Sequence, residues 1–406
     1  MKIIKGGVTA AKGFMAAGTY AGIKKKRKDM ALVYTERDAR GAGVFTQNIV
    51  KAAPVNWGVK VTRDSDVVHA VVINSGIANA ATGQEGEDNN RIMAETVAGE
   101  LEIPVSSVYT ASTGVIGQQL PIEKIREGIK VLKDNLASDI QSGLMAADAI
   151  RTTDTFTKEC AVSFMIGDKE VVVGGMSKGS GMIHPNMATL IGVITTDVSI
   201  SKELLQEALS KDVKKTFNMI SVDRDTSTND SIFLLANGAA KNVEITTKNE
   251  DYYNFCKALN IVTRKLSKLI AADGEGASKL VEATVEGATN EKFAIKISKA
   301  IISSNLVKTA MFGNDANWGR ILCAMGYSGA DFNPDKVDLY IESKLGKMQI
   351  VRNGLARKYS EEEASKILSA SEVKIIADLN EGDGKATAWG CDLSYDYVKI
   401  NAEYRS

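Results

Sequence analysis

Apolar residues follow two different spacings along this chain, and each spacing predicts one kind of element. Short runs rich in Val, Ile and Leu predict strands at Met30–Tyr34, Val67–Asn74, Cys160–Ile166, Glu170–Val173, Leu190–Thr195, Ser231–Ala236, Val373–Leu379 and Thr387–Leu393. Apolar residues at helical spacing predict helices at Asp88–Glu100, Pro121–Leu136, Ser138–Ile150, Lys202–Phe217, Glu250–Leu269, Lys292–Ile302 and Glu361–Ser369. Because strands and helices are mixed along the whole chain, the pattern predicts an α/β or α+β fold.

Charge and composition restrict the partners that we expect. The chain has 406 residues, of which 44% are hydrophobic, and its 50 Lys and Arg balance its 50 Asp and Glu. This length allows about two or three domains with a core in each, and a net charge of zero argues against nucleic acid or an anionic membrane as a partner. Gly6 and Gly7 interrupt the N-terminus before a signal-like apolar run develops, and no run reaches the length of a membrane span. We therefore expect a cytoplasmic protein, in which the basic run Lys24–Lys28 belongs to a solvated hairpin.

The residues that most often carry catalysis are scarce. The four cysteines are isolated from one another, which predicts core residues rather than a zinc site or a disulfide framework: Cys160, Cys256, Cys323 and Cys391. His69 lies in an apolar run and is expected to be a satisfied sheet residue, whereas His184 is a candidate for a local structural or catalytic role. The HExxH and GxxxxGK(S/T) signatures are absent. Common zinc-protease and P-loop chemistry is therefore disfavoured.

One nucleophile needs no histidine. When the peptide bond before a Thr or Ser is cut, the new α-amino group has a pKa of about 7.7 to 8.0 and can accept the proton of the adjacent hydroxyl. The stretch "KGSGMIHPNMATLIGVITTD", Lys178–Asp197, suits this chemistry because glycines and a His-Pro pair precede Thr189 at the head of an apolar strand. A turn before a buried strand explains the same residues, so both interpretations stay open on this pattern alone.

A second stretch, "YTASTGVIGQQLP", offers hydrogen-bond donors. It places Ser112, Thr113 and Gly114 in a predicted loop between a short strand and the helix at Pro121. Hydroxyl groups and a glycine N–H that can approach a ligand closely are the donors that an oxyanion hole requires. An ordinary β-to-α loop has the same composition, so this interpretation also has an alternative.

Taken together, the two stretches resemble the ornithine acetyltransferase family, also called the bifunctional glutamate N-acetyltransferase family of arginine biosynthesis. The resemblance runs essentially end to end, because further blocks follow in the family's order: "VTAAKGFMAAGTYAGIK", "GVFTQN", "KAAPV", "INSGIANAATG", "DRDTSTND", "GEGASKL", "SSNLVKTAMFGNDANWGRI" and "DLNEGDGKATAWGCDLSYDYVKINAEYRS". Ile77 and Ala111 depart from the pattern, since Asn and Cys are common at these positions.

The resemblance implies a self-processing enzyme with an N-terminal threonine nucleophile. The precursor would cut itself between Ala188 and Thr189, and Thr189 would then carry an acetyl group from N2-acetylornithine to glutamate in a ping-pong reaction. Thr113 and Gly114 match the family's oxyanion pair. The implied substrate contacts are Thr152, Lys178, Thr189, Glu275, Asn401 and Ser406, the last in place of the family's usual Thr.

The residue types of two implied contacts suit the substrates. Lys178 can pair with the α-carboxylate that both substrates share. Glu275 can pair with the side-chain ammonium of ornithine, or discriminate against it.

The resemblance also implies a fold and an assembly. The fold would be a layered αββα sandwich, similar to that of self-processing aminopeptidases, with a smaller C-terminal α/β domain. Residues 1–188 would form an α fragment, residues 189–280 would begin the β fragment and complete the core, and residues 281–406 would form the C-terminal domain and a substrate-contacting tail. Two pairs of fragments would assemble as an α2β2 heterotetramer. No cofactor and no metal are implied, and acetyl-CoA is a candidate co-substrate.

Two other functions stay open on the sequence. An N-terminal-nucleophile aminopeptidase or amidase would use the same threonine but pass the acyl group to water. A phosphatase with an aspartate nucleophile would use Asp223 and Asp225 of "DRDTSTND" together with magnesium. Because this block belongs to the family pattern, we interpret it as a structural loop with charged hydrogen bonds near the active site or dimer interface.

Overall fold

The computed structural model describes residues 1–184 and 190–403. Within these ranges the strands β1 to β16 are, in chain order, Lys2–Ile4, Met15–Thr19, Met30–Phe45, Val68–Ile77, Val108–Val115, Lys158–Ile166, Lys169–Lys178, Ile191–Thr196, Ile220–Ser221, Ser231–Ala236, Leu280–Ala288, Asp338–Ser343, Gly346–Arg352, Leu355–Ala356, Glu372–Asp378 and Gly384–Cys391. The helices α1 to α11 are Ala53–Asp64, Gly83–Leu101, Ile122–Asp134, Ile140–Ala149, Lys202–Val213, Glu250–Ala272, Glu291–Ser303, Asn305–Phe312, Trp318–Gly326, Glu361–Leu368 and Tyr395–Glu403.

The first sheet is folded into two halves by one long strand. Its order is β1-β6-β7-β8-β10-β3-β4-β5, with β2 also paired to β3. One end of β3 pairs with β10 through residues 40–45, and the other end pairs with β2 and β4 through residues 30–34. The same strand therefore belongs to both halves and lets them face each other.

Side chains alternate between the two faces of these strands, as the period of a strand requires. Val33 of β3 and Ile73 of β4 lie in one core cluster with Val193 of β8 and Phe233 of β10, so this cluster lies between the two halves. On the outer faces, α2 and α3 cover Leu32 and its neighbours, and α5 and α6 cover the other half. The layers are thus helix, sheet, sheet, helix, and the predicted αββα sandwich is confirmed.

A second sheet follows in the C-terminal part of the chain. Its order is β14-β13-β12-β15-β11-β16-β9, and α7 packs on β11 and β16. Most of its strands follow Leu280, but β9 joins it from much earlier in the chain. The division of the chain at residues 188 and 280 stays a prediction.

Two sequence-based expectations about loops have different outcomes. Lys24–Lys28 lies in the connection between β2 and β3, as predicted, and its middle residues are exposed. Ser112, Thr113 and Gly114 were expected in a loop, but they belong to β5, where they pair with Asn74, Ser75 and Gly76 of the parallel strand β4. The prediction was wrong because a strand end that borders a cleft carries polar residues and glycine, which look like a loop.

No helix among the described residues has both the length and the apolar character that crossing a membrane would require. The cytoplasmic location stays a prediction.

Candidate active site

A cleft lies where the carboxyl ends of β4 and β5 approach the end of β7 and the start of β8. Six of the predicted substrate and oxyanion positions fall in described segments and line it: Thr113, Gly114, Thr152, Lys178, Glu275 and Asn401. The cleft has a volume of about 150 Å³, which is smaller than the roughly 300–1,000 Å³ of pockets for drug-sized ligands. Its size suits a ligand as small as an amino acid derivative.

Close packing of two backbone segments requires glycine at position 114. The φ of Gly114 is +133°, and this residue lies opposite Gly76 in the parallel pairing of β5 and β4. A Cβ atom at this position would lie 2.2 Å from the carbonyl carbon of Gly76. Only glycine therefore fits, and the preceding Thr113 is presented to the cleft from a rigid strand.

Lys178 is a buried cation at the end of β7. Its side chain is 7% exposed, and its Nζ donates to Thr113 Oγ1 at 3.4 Å. Burial lowers the pKa of Lys178, and the nearby carboxylates of Asp154, Asp230 and Glu275 oppose that shift. The amine of Lys178 is thus buried beside Thr113, a predicted oxyanion residue.

Glu275 faces the cleft from the loop after α6. It is 9% exposed, and its Oε2 accepts a hydrogen bond from Asn401 Nδ2 of α11 at 2.8 Å. The carboxylate also lies against Gly181, where an added Cβ would come within 2.3 Å of it. The cleft is therefore lined by a buried lysine, Lys178, and by two buried carboxyl side chains, Glu275 and Asp230. Charges of both signs complement an amino acid with a charged side chain.

Thr152 follows α4 and reaches the cleft through an ordered turn. Its backbone N–H donates to Asp154 Oδ2 at 3.0 Å. Burial by itself would raise the pKa of Asp154. The positive charges of Lys178 and Lys158 and the hydrogen bond from the Gly179 N–H have the opposite and larger effect, and they hold that pKa well below its usual range. Asp154 is therefore an anion that holds the turn in place.

The segment that leads towards the predicted cleavage position is held by the "DRDTSTND" block. The carboxylate of Asp223 accepts from the backbone N–H groups of Met182 at 2.6 Å and Ile183 at 2.8 Å. His184 Nδ1 lies 2.9 Å from Ser221 Oγ, and burial lowers the pKa of His184 to about 4. Both carboxylate oxygens of Asp223 thus accept hydrogen bonds from the backbone, which supports the interpretation of this block as a structural loop.

Three predicted site residues, Ala188, Thr189 and Ser406, lie outside the described residues. Leu190, directly after Thr189, lines the cleft. In the described ranges there is no group of three or more His, Cys, Asp or Glu side chains arranged to hold a metal ion.

The structure adds a cleft residue that sequence reasoning missed. Asn229 is buried, and its Nδ2 donates to the carbonyl oxygens of Ala78 at 2.5 Å and Ser112 at 2.8 Å. It therefore joins the loop before β10 to the ends of β4 and β5, which carry the predicted oxyanion residues Thr113 and Gly114. Its position in the block "DRDTSTND" was the available signal, but the sequence pattern indicated a role only for the aspartates of that block.

Comparison with known proteins gives matches along the whole chain. The ArgJ family matches residues 15–406. The arginine biosynthesis bifunctional protein ArgJ of Caldanaerobacter subterraneus subsp. tengcongensis is 49% identical over 406 residues, covering 100% of both chains. The protein of the same name from Thermotoga neapolitana is 47% identical over 396 residues, covering 97% of this chain and 99% of that protein.

A solved structure is also similar. The crystal structure of the arginine biosynthesis bifunctional protein ArgJ from Bacillus halodurans has 47% sequence identity and a TM-score of 0.50, and the match covers 52% of this chain and 98% of that chain. The chain therefore belongs to the ArgJ family, and it is an acyltransferase of arginine biosynthesis, as the order of its sequence blocks predicted.

Proposed function

We propose that the chain cuts itself between Ala188 and Thr189 and then transfers an acetyl group from N2-acetyl-L-ornithine to L-glutamate through an acetyl-Thr189 intermediate. One observation supports this proposal above the others. The predicted site residues come from separate parts of the chain but line the same cleft, and Leu190, which directly follows Thr189, lines it too.

The first half of the reaction uses the new N-terminus. The Thr189 hydroxyl attacks the acetyl carbonyl of N-acetylornithine, and the free α-amine of Thr189 takes the hydroxyl proton. The Thr113 hydroxyl and the Gly114 N–H are the candidate donors for the oxygen that becomes negatively charged. When the C–N bond breaks, that proton passes to the departing α-amine of ornithine, which leaves an acetyl ester on Thr189.

The second half reverses this chemistry with a new acceptor. The α-amine of glutamate attacks the acetyl ester, the Thr189 oxygen leaves and is protonated again, and N-acetylglutamate departs. Because both amino acids use one pocket in turn, the scheme is ping-pong.

The charges of the cleft support these substrates. Lys178 is a buried cation that suits the α-carboxylate common to both substrates. Glu275 is a carboxylate at 9% exposure that suits the side-chain ammonium of ornithine. An uncharged acyl donor would offer no opposite charge to either side chain.

The length of the crystallised relative supports cleavage of the precursor. The Bacillus halodurans chain is matched over 98% of its own length but covers only 52% of this chain. A chain of about half length is what one fragment of a cleaved precursor would be.

Initial-rate kinetics test the proposed transfer. With N-acetylornithine and glutamate varied together, we expect parallel lines in double-reciprocal plots, and we expect no transfer by the Thr189→Ala variant. Intersecting lines would contradict the acetyl-enzyme, and release of acetate in place of N-acetylglutamate would favour the amidase alternative.

A second activity is proposed because the full-length relatives are named bifunctional. Acetyl-CoA would donate to the same Thr189 hydroxyl, and glutamate would again be the acceptor. We expect glutamate-dependent release of CoA by the wild-type enzyme and none by Thr189→Ala. CoA release that survives in this variant would place the second activity elsewhere.

A further inference from the structure

Four buried charges of alternating sign lie beside the cleft: Lys178, Asp154, Lys158 and Asp273. Their exposures are 7%, 1%, 0% and 4%. Lys158 Nζ lies 2.7 Å from Asp154 Oδ1 and 2.6 Å from Asp273 Oδ2. Charges are costly to bury unless each has a partner, and the proposed chemistry gives no role to Asp154, Lys158 or Asp273.

Asp154 joins two walls of the cleft. Its Oδ2 accepts from the Thr152 N–H at 3.0 Å, and its Oδ1 accepts from the Gly179 N–H at 2.7 Å. Thr152 is a proposed substrate contact, and Gly179 directly follows Lys178. One carboxylate therefore fixes the backbone at Thr152, which lines the cleft, and at Gly179, next to the lining residue Lys178.

Lys158 and Asp273 extend the network beyond Asp154, because Lys158 pairs with both carboxylates. Asp273 accepts from the Thr155 N–H at 3.0 Å, and its carbonyl oxygen accepts from Ser180 Oγ at 2.6 Å. The Ser180 carbonyl in turn accepts from the Glu275 N–H at 3.1 Å. The network thus runs continuously from the turn at Thr152 to the loop that carries Glu275.

We propose that Asp154 is a positioning residue of this enzyme: it fixes the cleft walls at Thr152 and Gly179 and supplies the counter-charge for Lys178. The proposal rests on the proposed function of the cleft. The charged groups around Lys178 are Asp154, Asp230 and Glu275, whose carboxylates raise its pKa, and Lys158, which lowers it together with burial.

The Asp154→Asn variant keeps the shape and removes the charge. We expect the KM values of N-acetylornithine and glutamate to rise together by about 10- to 100-fold, and kcat to change by less than about threefold. The pKa of Lys178 falls when its carboxylate neighbour is lost. Since a protonated Lys178 binds the substrate carboxylate, the high-pH limb of kcat/KM moves to lower pH.

Asp212→Asn is the matched control. Asp212 is also a buried carboxylate, at 8% exposure, but it accepts from Asn260 Nδ2 of α6 at 2.7 Å and does not line the cleft. This variant should keep both KM values and the pH profile. If Asp154→Asn does not fold, the double variant Asp154→Asn/Lys158→Gln removes one charge of each sign and is expected to retain the KM defect.

A measurement without substrate tests the role of Asp154 independently of the proposed acetyl transfer. Competitive labelling with acetic anhydride, read by mass spectrometry across pH, reports the titration of Lys178 in the wild type and in each folded variant. We expect Lys178 to titrate at lower pH in Asp154→Asn and at the wild-type pH in Asp212→Asn. Unchanged titration with unchanged KM values, or a loss confined to kcat, overturns the role of Asp154. A wild-type enzyme without acetyl transfer overturns the proposed function, while the labelling still decides the role of Asp154.

Discussion

Gly114 illustrates how a single position links sequence, packing and proposed chemistry. Its positive φ and its contact with Gly76 leave no space for a side chain. Gly114 also lines the cleft, together with Thr113 and Lys178. The close approach of two strand ends therefore explains why glycine stands there.

Replacing Gly114 with Ala should damage catalysis strongly. The added methyl group would push β5 away from β4 and misplace the oxyanion donors, so we expect the rate of acetyl transfer to fall by about 10²- to 10³-fold. Gly99→Ala is the control, because Gly99 lies on the exposed side of α2 with no atom within 4 Å of an added Cβ. Steady-state rates of both variants check this, and a Gly114→Ala enzyme with normal rates would contradict the oxyanion assignment.

Glu275 should matter more for one substrate than for the other. In Glu275→Gln, the side-chain ammonium of N-acetylornithine loses its carboxylate partner, so we expect kcat/KM for enzyme acetylation to fall about 10-fold. Transfer to glutamate should change by less than about threefold. Rapid-quench measurement of the two half-reactions checks this.

Glu282→Gln is the control for Glu275→Gln. Glu282 is also 8% exposed, but it pairs with Lys268 and Trp389 away from the cleft. Equal losses in both half-reactions of Glu275→Gln would argue that Glu275 supports the cleft as a whole.

The sequence predicted some residues of the cleft but not others. Lys178 and Glu275 were named because they stand inside recognisable blocks, and the structure brings them to one cleft. Asp154 was missed because a carboxylate in the polar turn "RTTDT" looks like a solvated residue, and only the fold shows that it is 1% exposed. The roles of Thr189, Ala188 and Ser406 stay predictions.

At the scale of elements, strands from the two proposed fragments are interleaved in the first sheet. In the order β1-β6-β7-β8-β10-β3-β4-β5, only β8 and β10 follow residue 189. They pair with β7 on one side and with β3 on the other, and both neighbours precede residue 188. Separating the fragments would therefore break two ladders of hydrogen bonds and open the core between the layers.

The fragments should consequently stay together after cleavage. We expect them to elute as one species in size-exclusion chromatography at neutral pH and to separate only in denaturant. Light scattering on the same column measures the mass, for which the proposed α2β2 assembly predicts twice 43.5 kDa. Fragments that separate without denaturant would contradict the interleaved sheet.

Element prediction succeeded where the local pattern and the tertiary position agree. The strand Ser231–Ala236 was predicted with its observed bounds, because all its residues are apolar or small and buried on both faces. Helix α1 was missed, since Pro54 and Gly58 in "APVNWGVKVTRD" look like breakers. In the structure Pro54 occupies the first turn, where proline is tolerated, and Gly58 packs against Phe45.

At the scale of the whole molecule, the site is divided between the proposed fragments. Thr113, Gly114, Thr152 and Lys178 precede the cleavage position, whereas Glu275 and Asn401 follow it. Neither proposed fragment alone contains all of these residues, so we expect the proposed cleavage to follow folding. The order of the sequence blocks predicted the family and the layered fold, but the close approach of positions as distant as Thr113 and Asn401 is visible only in three dimensions.

Intact-mass analysis with N-terminal sequencing, before and after brief exposure to N-acetylornithine, tests the central claim most directly. We expect two fragments of roughly 20 and 23 kDa, in proportion to 188 and 218 of the 406 residues. The larger should begin Thr-Leu-Ile-Gly and gain the mass of one acetyl group. A single uncut chain of 43.5 kDa that gains no adduct would contradict the account.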